Sequence, residues 1–165
     1  MKILILSDSH SSLSFMRRSI EKLRPNVVVH LGDHYNDGTV IAEENPHIRI
    51  YQVPGNCDSF TLDGLQPAII CCSIGGILCY MTHGHMHGVK SGESRLLAAA
   101  REKGAKIVMY GHTHVPVCGY EDDLLVINPG SCGGYSGSVC LLEINNNEIS
   151  SYRILRQEDL DKTPM

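Results

Sequence analysis

Met1-Lys2-Ile3-Leu4-Ile5-Leu6-Ser7-Asp8-Ser9-His10 is an apolar run that stops abruptly at polar residues. Residues 26–32, Asn-Val-Val-Val-His-Leu-Gly, repeat the pattern and are followed by Asp33. Between the two runs, Leu13, Met16, Ile20 and Leu23 recur at helical spacing, with Ser11 and Ser12 as expected caps and Pro25 beyond the end. Strand, helix, strand, with apolar residues on both faces of each strand, predicts a β-α-β unit in a sheet buried on both sides.

The same grammar continues outward. A short helix is expected over 37–45 and a strand over 48–54 that runs into Pro54-Gly55-Asn56. Apolar runs 68–74 and 77–82 flank Gly75-Gly76, the signature of a hairpin. A helix over 92–103 ends at Gly104, and strand 106–110 follows. From 115 onward, short strands at 115–120, 124–127, 138–144 and 148–154 read as an antiparallel meander turning at 121–123 and 145–147. The last ten residues are polar and read as a loosely held tail. The fold class expected is α/β, two packed sheets with helices outside, in one domain of 165 residues.

Composition narrows the function. Hydrophobic residues make up 42% and charged residues 19%, an ordinary globular balance. No apolar run approaches the ~20 residues of a membrane span, and the opening run has neither a charged leader nor a cleavage site, so the expected location is the cytoplasm. The net charge of −4 and the lack of a Lys/Arg block argue against binding extended nucleic acid. Seven cysteines without a C-x-x-C pair argue against a disulfide framework or zinc–thiolate site; all but Cys57 are expected to be buried, reduced thiols.

Chemistry-bearing side chains stand at strand ends. Asp8 and His10 follow the first strand, Asp33 the second and Asn56 the third; His83 follows 77–82, and His112 and His114 follow 106–110. In open α/β sheets the carboxyl ends of strands form the ligand-binding rim. Two carboxylates, an amide oxygen and four imidazoles form an O/N set suited to manganese, nickel, zinc or iron. Seven donors exceed what one such ion takes, so two divalent ions with a carboxylate bridge are expected, manganese first.

Asp8-x-His10, Gly32-Asp33, Gly55-Asn56, His83 and Gly111-His112-x-His114 resemble, in order, the five motifs of the calcineurin-like metallophosphoesterases. They span 8 to 114, about two-thirds of the chain. Gly55-Asn56-Cys57-Asp58 and Asn128-Pro129-Gly130-Ser131 are similar to loops of the small prokaryotic phosphodiesterase subgroup. The resemblance implies a four-layer α-β-β-α sandwich of two mixed sheets. It implies that Asp8, His10, Asp33 and His114 hold one ion, and that Asp33, Asn56, His83 and His112 hold the other. Phosphodiester hydrolysis by a hydroxide bridging the two ions follows as the expected activity on a small phosphate ester, with a homodimer or homotetramer as the expected assembly.

Asn56, Cys57 and Asp58 are the expected catalytic loop. Many members carry His where Cys57 stands, and a thiol with a pKa near ~8.5 is a weaker acid for a leaving group. His34 and His85 are expected to contact substrate, His30 to be packed within its strand or to support the site from beneath, His87 to sit in a loop and His47 at the surface. Gly32, Gly55, Gly84 and Gly111 are expected at tight turns, and Asn128 to Ser131 either close the cleft or turn the chain. Two other readings stand beside the diesterase. One is a phosphomonoesterase; the other is a protein-interaction scaffold, since a subunit of the eukaryotic retromer coat has this fold and works through protein contacts.

Overall fold

Alternation along β1 (Lys2–Leu6) divides its side chains between two cores. Ile3 and Ile5 enter one apolar cluster, Leu4 and Leu6 another, and all four are fully buried. The computed structural model describes residues 1–58, 63–134 and 136–162. Among these, β2 (Val27–His30) and β3 (Arg49–Gln52) continue parallel to β1, with α1 (Leu13–Leu23) and α2 (Tyr35–Glu44) as the crossovers. The first sheet has the order β10-β9-β1-β2-β3, where β9 is Ser138–Asn145 and β10 is Glu148–Arg156.

The second sheet has the order β4-β5-β6-β8-β7. It comprises β4 (Ile69–Ile74), β5 (Ile77–Thr82), β6 (Ile107–Met109), β7 (Val117–Glu121) and β8 (Leu124–Asn128), with α3 (Ser94–Glu102) between β5 and β6. Three apolar clusters define the layers. One lies between the sheets and contains Ile5, Val29, Met81, Met109 and Ile127. A second joins the first sheet to Met16 and Ile20 of α1 and Ile41 of α2. A third joins the second sheet to Leu96 and Leu97 of α3. The architecture is a four-layer α-β-β-α sandwich of two mixed sheets, as expected from the motifs.

Four expectations change. The last four strands are not one meander: β7 and β8 form a hairpin in the second sheet, with β8 parallel to β6. The β9–β10 hairpin belongs instead to the first sheet, where β9 runs antiparallel to β1. The turns were legible because Asn146 and Asn147 adopt the positive φ a tight hairpin needs. Partner choice was not, because it depends on which distant edge strand lacks a neighbour.

The tail is not loose through residue 162. Residues Gln157–Lys162 form α4, whose fully buried Leu160 joins the cluster under α1. Residues 163–165 of that tail lie outside the described residues. The thiols are all free, but Cys71 as well as Cys57 is exposed, and only Cys79, Cys132 and Cys140 are buried. Ser12 takes the position before α1 without a side-chain cap, while the Ser11 hydroxyl meets His34 Nδ1 at 3.1 Å.

Candidate metal centre

The carboxyl ends of β1, β2, β3, β5 and β6 meet at the seam between the two sheets, and hydrogen bonds stitch across it. His83, beyond β5, donates from Nδ1 to the Leu31 carbonyl beyond β2 at 2.7 Å. The His112 N–H, beyond β6, reaches Asp8 Oδ2, beyond β1, at 3.1 Å. The first bond fixes the His83 tautomer and leaves Nε2 as the lone-pair atom facing the site.

Around that atom the expected donors converge. Asn56 Oδ1 lies 3.1 Å from His83 Nε2, His112 Nδ1 3.2 Å and Asp33 Oδ1 3.5 Å. On the other side, His114 Nε2 lies 3.1 Å from Asp8 Oδ1, and the rings of His10 and His114 are 5.3 Å apart. Among the described residues, two groups of donor atoms each fall within 4.8 Å of one another: Asp8, His10, Asp33 and His114, and separately Asp33, His83 and His112. Asp33 is common to both.

These residues fit divalent cations on local chemistry. Asp8 Oδ1 is buried yet accepts no hydrogen bond, although its sister Oδ2 takes two, from the Ser7 hydroxyl at 2.6 Å and from His112. A buried carboxylate oxygen that accepts no hydrogen bond is costly, and a cation removes the cost. Asp8 and Asp33 are both nearly inaccessible, so two like charges are buried together among imidazoles. The backbone is strained to bring them there: Asp8, His10, Asp33, His112 and His114 all have φ between 44° and 68°. Such conformations cost non-glycine residues on the order of 1 kcal/mol or more each, and they concentrate at functional sites. Gly55 and Gly111 lack that strain and serve close approach instead, since a Cβ on either would press on Asp33 or on Ser7 and Asp8.

The remaining site expectations separate. His85 lies beside the second donor group, its ring 5.4 Å from that of His83 and 6.1 Å from that of His112. His34 and Cys57 line a cavity of about 100 Å³ with Asn36 and Asp58. Asp58 is buried beneath the loop. Its Oδ1 accepts the Tyr35 N–H at 2.8 Å and its Oδ2 the Gly55 N–H at 2.7 Å, so it pins the loop to the start of α2. Cys57 donates its N–H to Asp33 Oδ1 at 2.9 Å, while partial burial and the Asp33 carboxylate push its thiol pKa up. Burial alone would raise the Asp33 carboxyl, but the Cys57 N–H and the His83 ring hold it below the usual range. His112 is pushed down to about 4 by burial and by His83 and Lys90. His47 is exposed, and His87 meets the Tyr80 hydroxyl at 3.1 Å.

Sequence reasoning expected His30 beneath the donors but missed the residues it joins there. The Ser9 hydroxyl donates to Asp37 Oδ2 at 2.7 Å and lies 3.2 Å from His30 Nε2, with Asp37 also taking the Ser11 N–H at 2.9 Å. Asn128 and Ser131 do more than turn the chain. Asn128 Nδ2 donates to the Gly111 carbonyl at 3.1 Å and to Thr113 Oγ1 at 2.9 Å, while the Ser131 hydroxyl donates to the Asp8 carbonyl at 2.8 Å. They brace two donor loops from below.

His30 is fully buried, and burial pushes its pKa down to about 4. Since the unfolded value is ~6.5, the unfolded chain binds the extra proton first as pH falls between these values. Stability therefore declines from about pH 6.5 toward 4, by up to about 3 kcal/mol for this group. Urea unfolding of metal-free protein at pH 7 and 4.5 is expected to show the decline, and His30→Asn to shrink it. An equal decline in the variant would show that another group carries the effect.

A family model described as the calcineurin-like phosphoesterase superfamily domain matches residues 1–147. A curated relative, phosphodiesterase MJ0936 of Methanocaldococcus jannaschii, is 31% identical, with 93% of this chain and 97% of that protein covered. The solved structure of an archaeal phosphodiesterase superposes with a TM-score of 0.72 at 29% identity, covering 94% of this chain and 99% of that one. Vps29 of Entamoeba histolytica, solved as a complex with zinc, gives a TM-score of 0.73 at 21% identity over 94% of this chain and 98% of that one. At that identity the likeness to Vps29 shows the fold alone. No helix among the described residues is long and apolar enough to cross a membrane.

Proposed function

Because this chain belongs to the calcineurin-like phosphoesterase superfamily, we propose that it hydrolyses phosphodiesters with two divalent cations held at Asp33. The observation that carries the reading is the pair of donor groups sharing Asp33 beside a buried Asp8 Oδ1 that accepts no hydrogen bond. Asp8, His10, Asp33 and His114 would hold one cation; Asp33, Asn56, His83 and His112 would hold the other. Manganese is the metal proposed first, with nickel, zinc or iron suited to the same donors. When bound, such cations supply Lewis acidity toward phosphoryl oxygens and a nucleophilic water at neutral pH.

The chain's own residues do the positioning. His83 presents Nε2 because its Nδ1 is held by Leu31. The Cys57 N–H orients the Asp33 carboxylate, and Asp58 holds that loop in place. His85 contacts a phosphoryl oxygen beside His83 and His112, and His34 lines the substrate cavity with Cys57.

The raised thiol of Cys57 is a poor proton donor to a leaving alkoxide. Rates are therefore expected to fall steeply as leaving-group pKa rises, and Cys57→His to flatten that dependence by about 10-fold at the alkyl end. Identical slopes for Cys57→His, Cys57→Ala and the parent would remove position 57 from the mechanism.

The test of the whole reading is metal-stripped protein with manganese, nickel or zinc added back. The substrates are bis-p-nitrophenyl phosphate and p-nitrophenyl phosphate. Metal-dependent turnover favouring the diester is the expected result. Faster turnover of the monoester would reassign the enzyme as a phosphomonoesterase. Folded protein inert with every metal would turn the reading to a protein-interaction scaffold.

A further inference from the structure

A cavity of about 290 Å³ adjoins the donor cluster, with His114, Ser131, Ser136, Ser138 and Arg156 in its wall. Arg156 is the last residue of β10, some forty positions along the chain from His114, and the β9–β10 hairpin brings it there. The wall's hydroxyls are mostly committed. The Ser131 hydroxyl donates to the Asp8 carbonyl at 2.8 Å and that of Ser138 to the Pro129 carbonyl at 2.7 Å. The guanidinium is not. Among the described residues the arginine ion pairs are Arg17–Glu44, Arg18–Asp161 and Arg101 with Glu121 and Asp122, and none includes Arg156. Nearby Asp159 accepts the Arg156 backbone N–H at 2.8 Å, and Asp161 is taken by Arg18. Glu158 and Asp161 line a neighbouring cavity that Arg156 and Ser136 also line, and neither is in the wall of the cavity of His114.

An exposed guanidinium with five donors, in one polar cavity with a proposed metal ligand, is matched to a second anion rather than to the scissile phosphate. The chain's charge of −4 makes the placement more telling, because no general cationic surface accounts for it. We propose that Arg156 forms a subsite for a second, non-reacting phosphate of the substrate. The substrate class is then a phosphodiester that carries another phosphate group beyond the bond cleaved. This rests on the diesterase reading and specifies what that site selects.

Dithymidylate bearing a 5′-terminal phosphate, a 3′-terminal phosphate or neither provides matched probes, with direct binding measured by calorimetry on manganese-loaded protein. One of the phosphorylated forms is expected to bind about 10-fold tighter than the unphosphorylated form, the size of a charge-assisted contact. Arg156→Gln is expected to abolish that ratio and Arg156→Lys to restore part of it. Arg153→Gln removes an exposed arginine of the same strand that does not line the cavity, and it is expected to leave the ratio intact. A ratio that survives in Arg156→Gln would mean that the cations take the terminal phosphate directly, which overturns the proposal. So would an equal loss in Arg153→Gln, which would reduce the effect to general charge, or a ratio near one in the parent. Because the readout is binding, it is separate from turnover of bis-p-nitrophenyl phosphate, on which the diesterase reading stands or falls.

Discussion

Asp33→Asn is expected to remove turnover of bis-p-nitrophenyl phosphate by on the order of 10³-fold or more, together with bound metal. The reason is geometric before it is electrostatic. Asp33 is the residue common to both donor groups, and Oδ1 is fixed by the Cys57 N–H at 2.9 Å. An amide keeps the volume but replaces one anionic oxygen with an NH₂ donor, which repels a cation. It also removes one of the two buried negative charges, Asp8 and Asp33, that would balance bound cations. Equilibrium dialysis against manganese should show loss of at least one of two equivalents, in parallel with the rate. Full turnover with two equivalents bound would end the bridging role. Loss of rate with both ions retained would leave Asp33 as an orienting group only.

Gly55→Ala is expected to disable the site from a position with no chemistry of its own. A Cβ there would sit 2.9 Å from Asp33 Cγ and closer still to the carboxylate oxygen and backbone nitrogen of the same residue. The strand end cannot yield, since the Gly55 N–H is tied to Asp58 Oδ2 at 2.7 Å. Overpacking of this kind costs about 1–3 kcal/mol, and displacing a reactive group by an ångström costs about 10²-fold in rate. Gly119→Ala is the control, because nothing lies within 4 Å of its Cβ position in β7. That variant should unfold within about 0.5 kcal/mol of the parent and keep full activity. If urea midpoints and rates of the two variants coincide, the packing account of Gly55 is wrong.

Some of this was written locally. The alternation in Ile3 to Leu6 and Val27 to Val29 foretold strands buried on both faces, and each places side chains in two different clusters. The α1 stripe predicted by Leu13, Met16, Ile20 and Leu23 packs as expected, with Phe15 and Ser19 also buried. Donor residues at strand ends were readable because residue type and strand end fall within a window of about ten residues. The helix boundaries moved by only two positions at α2 and α3, where no strong cap marks the start.

The sequence by itself determined which side chains could hold metal, and that they stand at the ends of five strands. Tertiary structure alone decided which donors meet. Asp8 and His112 are 104 residues apart in the chain, and Ser131 supports Asp8 from 123 away. It also decided that β8 runs beside β6, that Asp58 ties its loop to the start of α2, and that Arg156 lines the cavity of His114. The physical reason is one of range. Periodicity and turn chemistry act between neighbours along the chain, whereas strand partners and loop braces are fixed only when two sheets close on a shared core, and nothing local records that closure.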